Sequence, residues 1–86
     1  MPSNQKIYNR IQLFRTAHKL SREELAKILE VNFQTIGYLE RGEYAPSLEL
    51  ALKMSEFFKV KIEEIFSLQA FDNLFPVNSN VNSNPQ

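Results

Sequence analysis

The chain has 86 residues, with ten Lys/Arg against ten Asp/Glu, one histidine and no cysteine. That length allows one small domain, whose core is marginal unless copies associate. Without cysteine there is neither a disulfide frame nor a thiolate metal site, and His18 alone supplies no ligand set, so no metal or cofactor is expected. No run of the sequence approaches the roughly 18 apolar residues that cross a membrane. The opening MPSNQKIYNR lacks the apolar stretch of a secretory signal, so the expected location is cytoplasmic. The charge is zero overall but unevenly spread. Residues 1–42 hold seven Lys/Arg and four Asp/Glu, and residues 43–86 hold three and six. Such polarity fits one face turned toward phosphate, with modest non-specific affinity.

Taken in order, residues 1–8 form a polar arm. A first helix is expected over Asn9–His18, with Ile11, Phe14 and Ala17 on one stripe. Ser21 and Glu24 have the spacing of a capping box, and Leu20 and Leu25 that of a hydrophobic staple. A second helix follows through Leu25, Ala26, Ile28 and Leu29. Asn32 caps a third, Phe33–Glu40, with Val31 and Ile36 as its staple and Gly42 as its stop. So short a link between the second and third helices favours a steep crossing. Ser47 caps a fourth helix, Leu48–Phe58. Its apolar residues divide into one face of Leu48, Ala51, Ser55 and Phe58 and another of Leu50, Met54 and Phe57, the second expected to meet another copy. Val60, Ile62, Ile65 and Phe66 predict a short fifth helix from about Lys61, with Glu63 and Glu64 in its first turn, where negative charge suits the helix dipole. Residues 69–86 form an extension. Its FDNLF segment carries Phe71 and Phe75. The uncharged PVNSNVNSNPQ that follows repeats V-N-S-N and is expected to be disordered from about residue 76.

The stretch SREELAKILEVNFQTIGYLERG, residues 21–42, resembles the helix-turn-helix of the Cro/phage-repressor (XRE) family. The likeness rests on Ala26 in the first helix of the motif, Leu29 and Val31 about its turn, and Ile36 and Leu39 in its second helix. Leu39-Glu40-Arg41-Gly42 and Pro46-Ser47-Leu48 extend it, and it covers residues 9–68. Glu30 stands where such motifs often carry glycine. If that position is left-handed, a side chain there costs about 1 kcal/mol. The resemblance implies an all-α, five-helix domain with the motif at residues 21–40. It also admits a small two-strand pairing of Lys6-Ile7-Tyr8 with Ser67-Leu68-Gln69-Ala70.

The same resemblance makes Phe33–Glu40 the recognition helix of a double-stranded-DNA-binding regulator, in which N-terminal residues of that helix reach base edges. Gln34 is then the candidate for adenine N6 and N7, Phe33 for a thymine methyl, and Tyr38 for a base or phosphate. Ser21, Arg22, Asn32, Thr35 and Arg41 are the candidates for phosphate contacts. Phe33 has an alternative in folding back onto Leu29, and Tyr38 in packing on the fourth helix. Gly37 either permits close approach to DNA or has no role. Lys19, Glu23, Lys27 and Glu43 read as solvated surface. Resemblance further implies an Arg15–Glu40 pair that sets the angle of the recognition helix. The second apolar face of the fourth helix, with the fifth, predicts a homodimer meeting through Phe57, Ile62, Ile65, Phe66 and Leu68, with Phe71 and Phe75 as further members. Repression from a pseudo-palindromic operator is the expected outcome, with no small-molecule ligand evident. The alternative is a protein-interaction module on the same fold, an antitoxin or anti-repressor working through its acidic, Phe-rich C-terminal half. No P-loop, dinucleotide fingerprint or nucleophile elbow is present. Glu63 and Glu64 point about 100° apart on a helix and make no catalytic dyad. An enzyme is not expected.

Overall fold

The computed structural model describes residues 5–43 and 45–71. The elements are β1 (Tyr8–Asn9), α1 (Ile11–Ala17), α2 (Arg22–Leu29), α3 (Phe33–Glu40), α4 (Leu48–Phe58), α5 (Ile62–Ile65) and β2 (Phe66–Ser67). Five helices therefore enclose the core, and one two-stranded antiparallel pair joins the two ends of the described chain. Phe75, the segment from residue 76 and the first four residues of the arm lie outside the described residues.

The helix starts follow from local chemistry. Ser21 Oγ accepts from the Glu24 amide at 3.0 Å while the Ser21 amide donates to Glu24 Oε1 at 2.8 Å, which completes the capping box. Asn32 Oδ1 accepts from the Gln34 amide at 2.8 Å, and Ser47 Oγ accepts from the Leu50 amide at 3.1 Å. Glu30 does take a left-handed conformation, with φ 62°, and Gly42 follows α3 with φ 73°. The same conformation recurs at Lys19 and Lys59, where nothing in the residue type signals it.

Ile11, Leu25, Leu29, Ile36, Met54 and Ile65 are fully buried and draw every helix into one core. Phe14, Leu20, Val31, Phe57, Val60 and Phe66 pack around it. α2 lies chiefly on α3, the contact that fixes the motif.

Four details differ from the sequence reading. α1 is shorter at both ends, because Asn9 is taken into β1 and His18 caps the helix; Ala17 is exposed. The strand pairing exists but is displaced along both segments: it joins Tyr8–Asn9 to Phe66–Ser67, Tyr8 opposite Ser67 and Asn9 opposite Phe66, so Phe66 leaves the fifth helix for the strand. On α4 the buried residues are Leu50, Ala51, Met54 and Phe58, one arc of about 100°. Leu48 lies about 160° from Leu50 on that helix, outside this arc, and is 72% exposed. Finally Ile65, expected on the dimer surface, has no exposed area: it belongs to the core of its own chain. Its backbone carbonyl accepts from the Arg10 amide at 2.8 Å, which seats α5 against the start of α1.

Candidate nucleic-acid interface

α3 has two sides of opposite character. Ile36 and Leu39 are buried against α2 and the core, whereas Phe33 and Tyr38 remain 48% and 40% exposed. Phe33 thus keeps about half of its surface turned outward. Phe33, Gln34, Gly37, Tyr38 and Arg41, joined by Arg22 from α2, line one shallow pocket of about 260 Å³. Five of these six residues were candidates for DNA contact, and the fold brings them together. Phe33 and Arg22 also border a second hollow with Arg15, Ser21 and Glu23. Ser21 and Asn32 are exposed, and Thr35 is half-buried. The Ser21 and Asn32 side-chain oxygens are engaged by the caps described above.

Behind this face stands a three-residue charge cluster. Arg15 Nε donates to Glu40 Oε2 at 2.6 Å, and its Nη1 donates to the Leu20 carbonyl at 2.8 Å. The expected pair is present, but it is not alone. Arg22 Nε donates to Glu40 Oε1 at 2.9 Å, so one carboxylate binds two guanidinium groups. The Glu40 side chain is 2% exposed, that of Arg15 11% and that of Arg22 45%. Arg22 is therefore held from below while much of it stays in solvent. Its link to Glu40 depends on how α2 crosses α3, which no spacing along the chain reports.

Asn9 is a further residue that sequence reasoning missed. Its Nδ2 donates to the Leu39 carbonyl at 2.8 Å, satisfying one orphan acceptor at the end of α3. Its Oδ1 accepts from the Ile11 amide at 3.0 Å, the pattern of an Asx turn, and so starts α1. The Asn-x-Ile spacing hints at the second role; nothing local hints at the first. At the same end of α3, Arg41 Nε donates to Glu43 Oε2 at 2.7 Å, and that hydrogen bond raises the guanidinium above its already high ordinary value. Glu43 is thus a partner rather than idle surface.

Among the described residues, no group of three acidic, His or Cys side chains could hold a metal ion. No helix among them is long and apolar enough to cross a membrane. The face offers exposed aromatic and amide side chains between two guanidinium groups, a set suited to base edges beside phosphates.

Known proteins agree with this geometry. Residues 11–65 match the family model described as Helix-turn-helix. An uncharacterised HTH-type transcriptional regulator of Methanocaldococcus jannaschii is 52% identical over 58 residues, which cover 67% of this chain and 88% of that protein. A regulator of the same description from Archaeoglobus fulgidus is 49% identical over 57 residues, covering 66% of this chain and 80% of its own. Among solved structures, the restriction-modification controller protein C.AhdI of Aeromonas hydrophila is similar with a TM-score of 0.58 and 31% identity, over 63% of this chain and 82% of that one. The chain belongs to the helix-turn-helix family of DNA-binding transcriptional regulators, of the XRE type.

Proposed function

We propose that this regulator binds a pseudo-palindromic operator as a homodimer and acts as a repressor by occupying it. The observation that carries the reading is the α3 face, apolar and buried on one side and lined with Phe33, Gln34, Tyr38 and two arginines on the other. In this reading the N-terminal half of α3 enters the major groove, with Gln34 on an adenine, Phe33 against a thymine methyl and Tyr38 beside them. Arg22, Ser21, Asn32 and Thr35 hold flanking phosphates. Two copies set their recognition helices roughly 34 Å apart. The chain performs no catalytic step, and it works beside the chromosome in the cytoplasm.

The dimer surface in this proposal loses Ile65 and centres on β2 and α5. Ile7, Phe66 and Leu68 border an apolar hollow of about 440 Å³ there, and Leu68 is 59% exposed. Ile62 and Phe57, both partly covered within the chain, lie at its margin in this proposal.

Selection of bound duplexes from a random pool with purified protein, at two salt concentrations, tests the reading. A two-fold-symmetric site and an affinity that falls with salt are expected. Failure to enrich any site, from protein shown to be folded and dimeric, would move the function to protein interaction. Loss of Arg22 and Gln34 together, by Arg22→Ala and Gln34→Ala, should abolish regulation if DNA is the partner and leave it intact if a protein is.

A further inference from the structure

Gln34, Gly37, Tyr38 and Arg41 fall on one stripe of α3, spaced three and four residues apart. Gly37 is on the outward side yet is buried. What covers it is Arg41. A Cβ added at Gly37 would stand 3.2 Å from Arg41 Nη1 and 3.9 Å from Nη2. The guanidinium also lies 5.3 Å from the centre of the Tyr38 ring. Arg41 therefore does not reach out from the end of the helix. It folds back by one turn, in the direction in which long helical side chains lean, and joins the pocket of Phe33 and Gln34.

We infer that Arg41 is a base-reading residue whose guanidinium fork takes a guanine, and that Gly37 is the seat that lets it do so. This rests on the DNA-binding reading above. Three observations separate it from a phosphate clamp. The fork is turned toward the half of α3 that enters the groove. Glu43 holds the Nε edge at 2.7 Å and leaves Nη1 and Nη2 together over Gly37, the pair of donors that guanine O6 and N7 require. The Glu43 carboxylate also offsets the charge of Arg41. That weakens a pull on phosphate but leaves the donors of the fork unchanged. Gly37, at a position where glycine weakens a helix, has a positive reason in the room that Arg41 occupies.

The test compares wild type, Arg41→Ala and Gly37→Ala on the selected duplex and on duplexes changed one base at a time, at two salt concentrations, with helix content checked for each protein. With Arg41→Ala, discrimination at one guanine per half-site should fall on the order of tenfold. Duplexes already lacking that guanine should bind as before, and the slope of affinity against salt should not change. Gly37→Ala keeps every charge and favours the helix, yet should weaken preference at the same base, because its methyl displaces Nη1. The inference is overturned if Arg41→Ala weakens all duplexes alike and lowers the salt slope by about one, the signature of a phosphate contact. It is equally overturned if a selected site shows no change at any base. Should wild type select no site, the operator reading fails and this inference fails with it.

Discussion

Glu40 receives two arginines on one carboxylate, and the consequences differ by partner. Arg15 is nearly enclosed, so removing Glu40 leaves a guanidinium with little water to replace the lost bond. We expect Glu40→Ala to cost about 3 kcal/mol, which for a domain this size lowers Tm by more than about 10 °C; thermal unfolding measures it. Arg22 is almost half exposed, and its bond is worth at most about 1 kcal/mol. Arg22→Ala should therefore leave Tm nearly unchanged while weakening all duplexes and reducing the salt slope by about one. Gln34→Ala should behave in the opposite way, losing about 1–3 kcal/mol at one base and leaving the slope intact. At this scale the sequence carried the identities of the outward residues, because helical periodicity alone decides which side chains oppose Ile36 and Leu39. It did not carry the partners of Arg22, Asn9 or Glu43. Asn9 meets the end of α3 from thirty residues away. The Arg22–Glu40 bond requires the crossing of two helices.

Four of the helices end in the same way. After α1, α2, α3 and α4 a left-handed residue is followed by one whose amide reaches five residues back: Leu20 to Arg15, Val31 to Ala26, Glu43 to Tyr38 and Val60 to Ser55. This is the Schellman ending, and glycine is its easiest occupant. Only the ending of α3 has it, at Gly42; Lys19, Glu30 and Lys59 occupy the others. Replacement of any one of these three by glycine relieves a strained backbone at some loss of unfolded-state restraint. We expect Glu30→Gly and Lys59→Gly to stabilise by about 0.5–1 kcal/mol each, and Gly42→Ala to destabilise by a similar amount; denaturant titration gives both signs. Glu30 also meets Lys53 at 3.6 Å, an exposed pair whose loss should matter little. Helix starts were legible in the chain because Ser21, Asn32 and Ser47 act within three residues. Two of the four stops were not, since lysine carries no sign of a left-handed backbone.

Across the molecule the sequence was read correctly as five helices on one core, and its family likeness located the motif. The division of α4 into faces went astray because Ser55 was counted with an apolar stripe, whereas an arc drawn through Leu50 and Met54 leaves Leu48 and Leu52 in solvent. Ile65 reads as an interface residue for a different reason: a helix of four residues gives too few turns to tell its inner from its outer side. For the proposed dimer, Leu68 offers a clean probe, since it is exposed in the single chain. Leu68→Glu should keep the helix content of wild type while converting dimer to monomer in sedimentation, and should lower Tm by the part that association contributes. Operator affinity should then fall steeply.

The pairing of β1 with β2 has a kinetic meaning. It joins the first and last elements of the fold, while α2 and α3 meet through neighbours in sequence. Closing so long a loop adds little free-energy cost beyond that of a shorter one, about 0.6 kcal/mol per doubling, but it requires the helices between to be nearly arranged. We therefore expect the strands to assemble last, as a clasp. Because Asn9 in that clasp also holds the end of α3, we expect its opening and the loosening of α3 to be coupled. The Arg10 amide, bonded to the Ile65 carbonyl, should exchange its hydrogen at the same free energy as the amides of α3. A fragment containing only residues 21–42 would have no such latch, so we expect its two helices to hold their shape less well than in a chain whose β1 and β2 stay fastened.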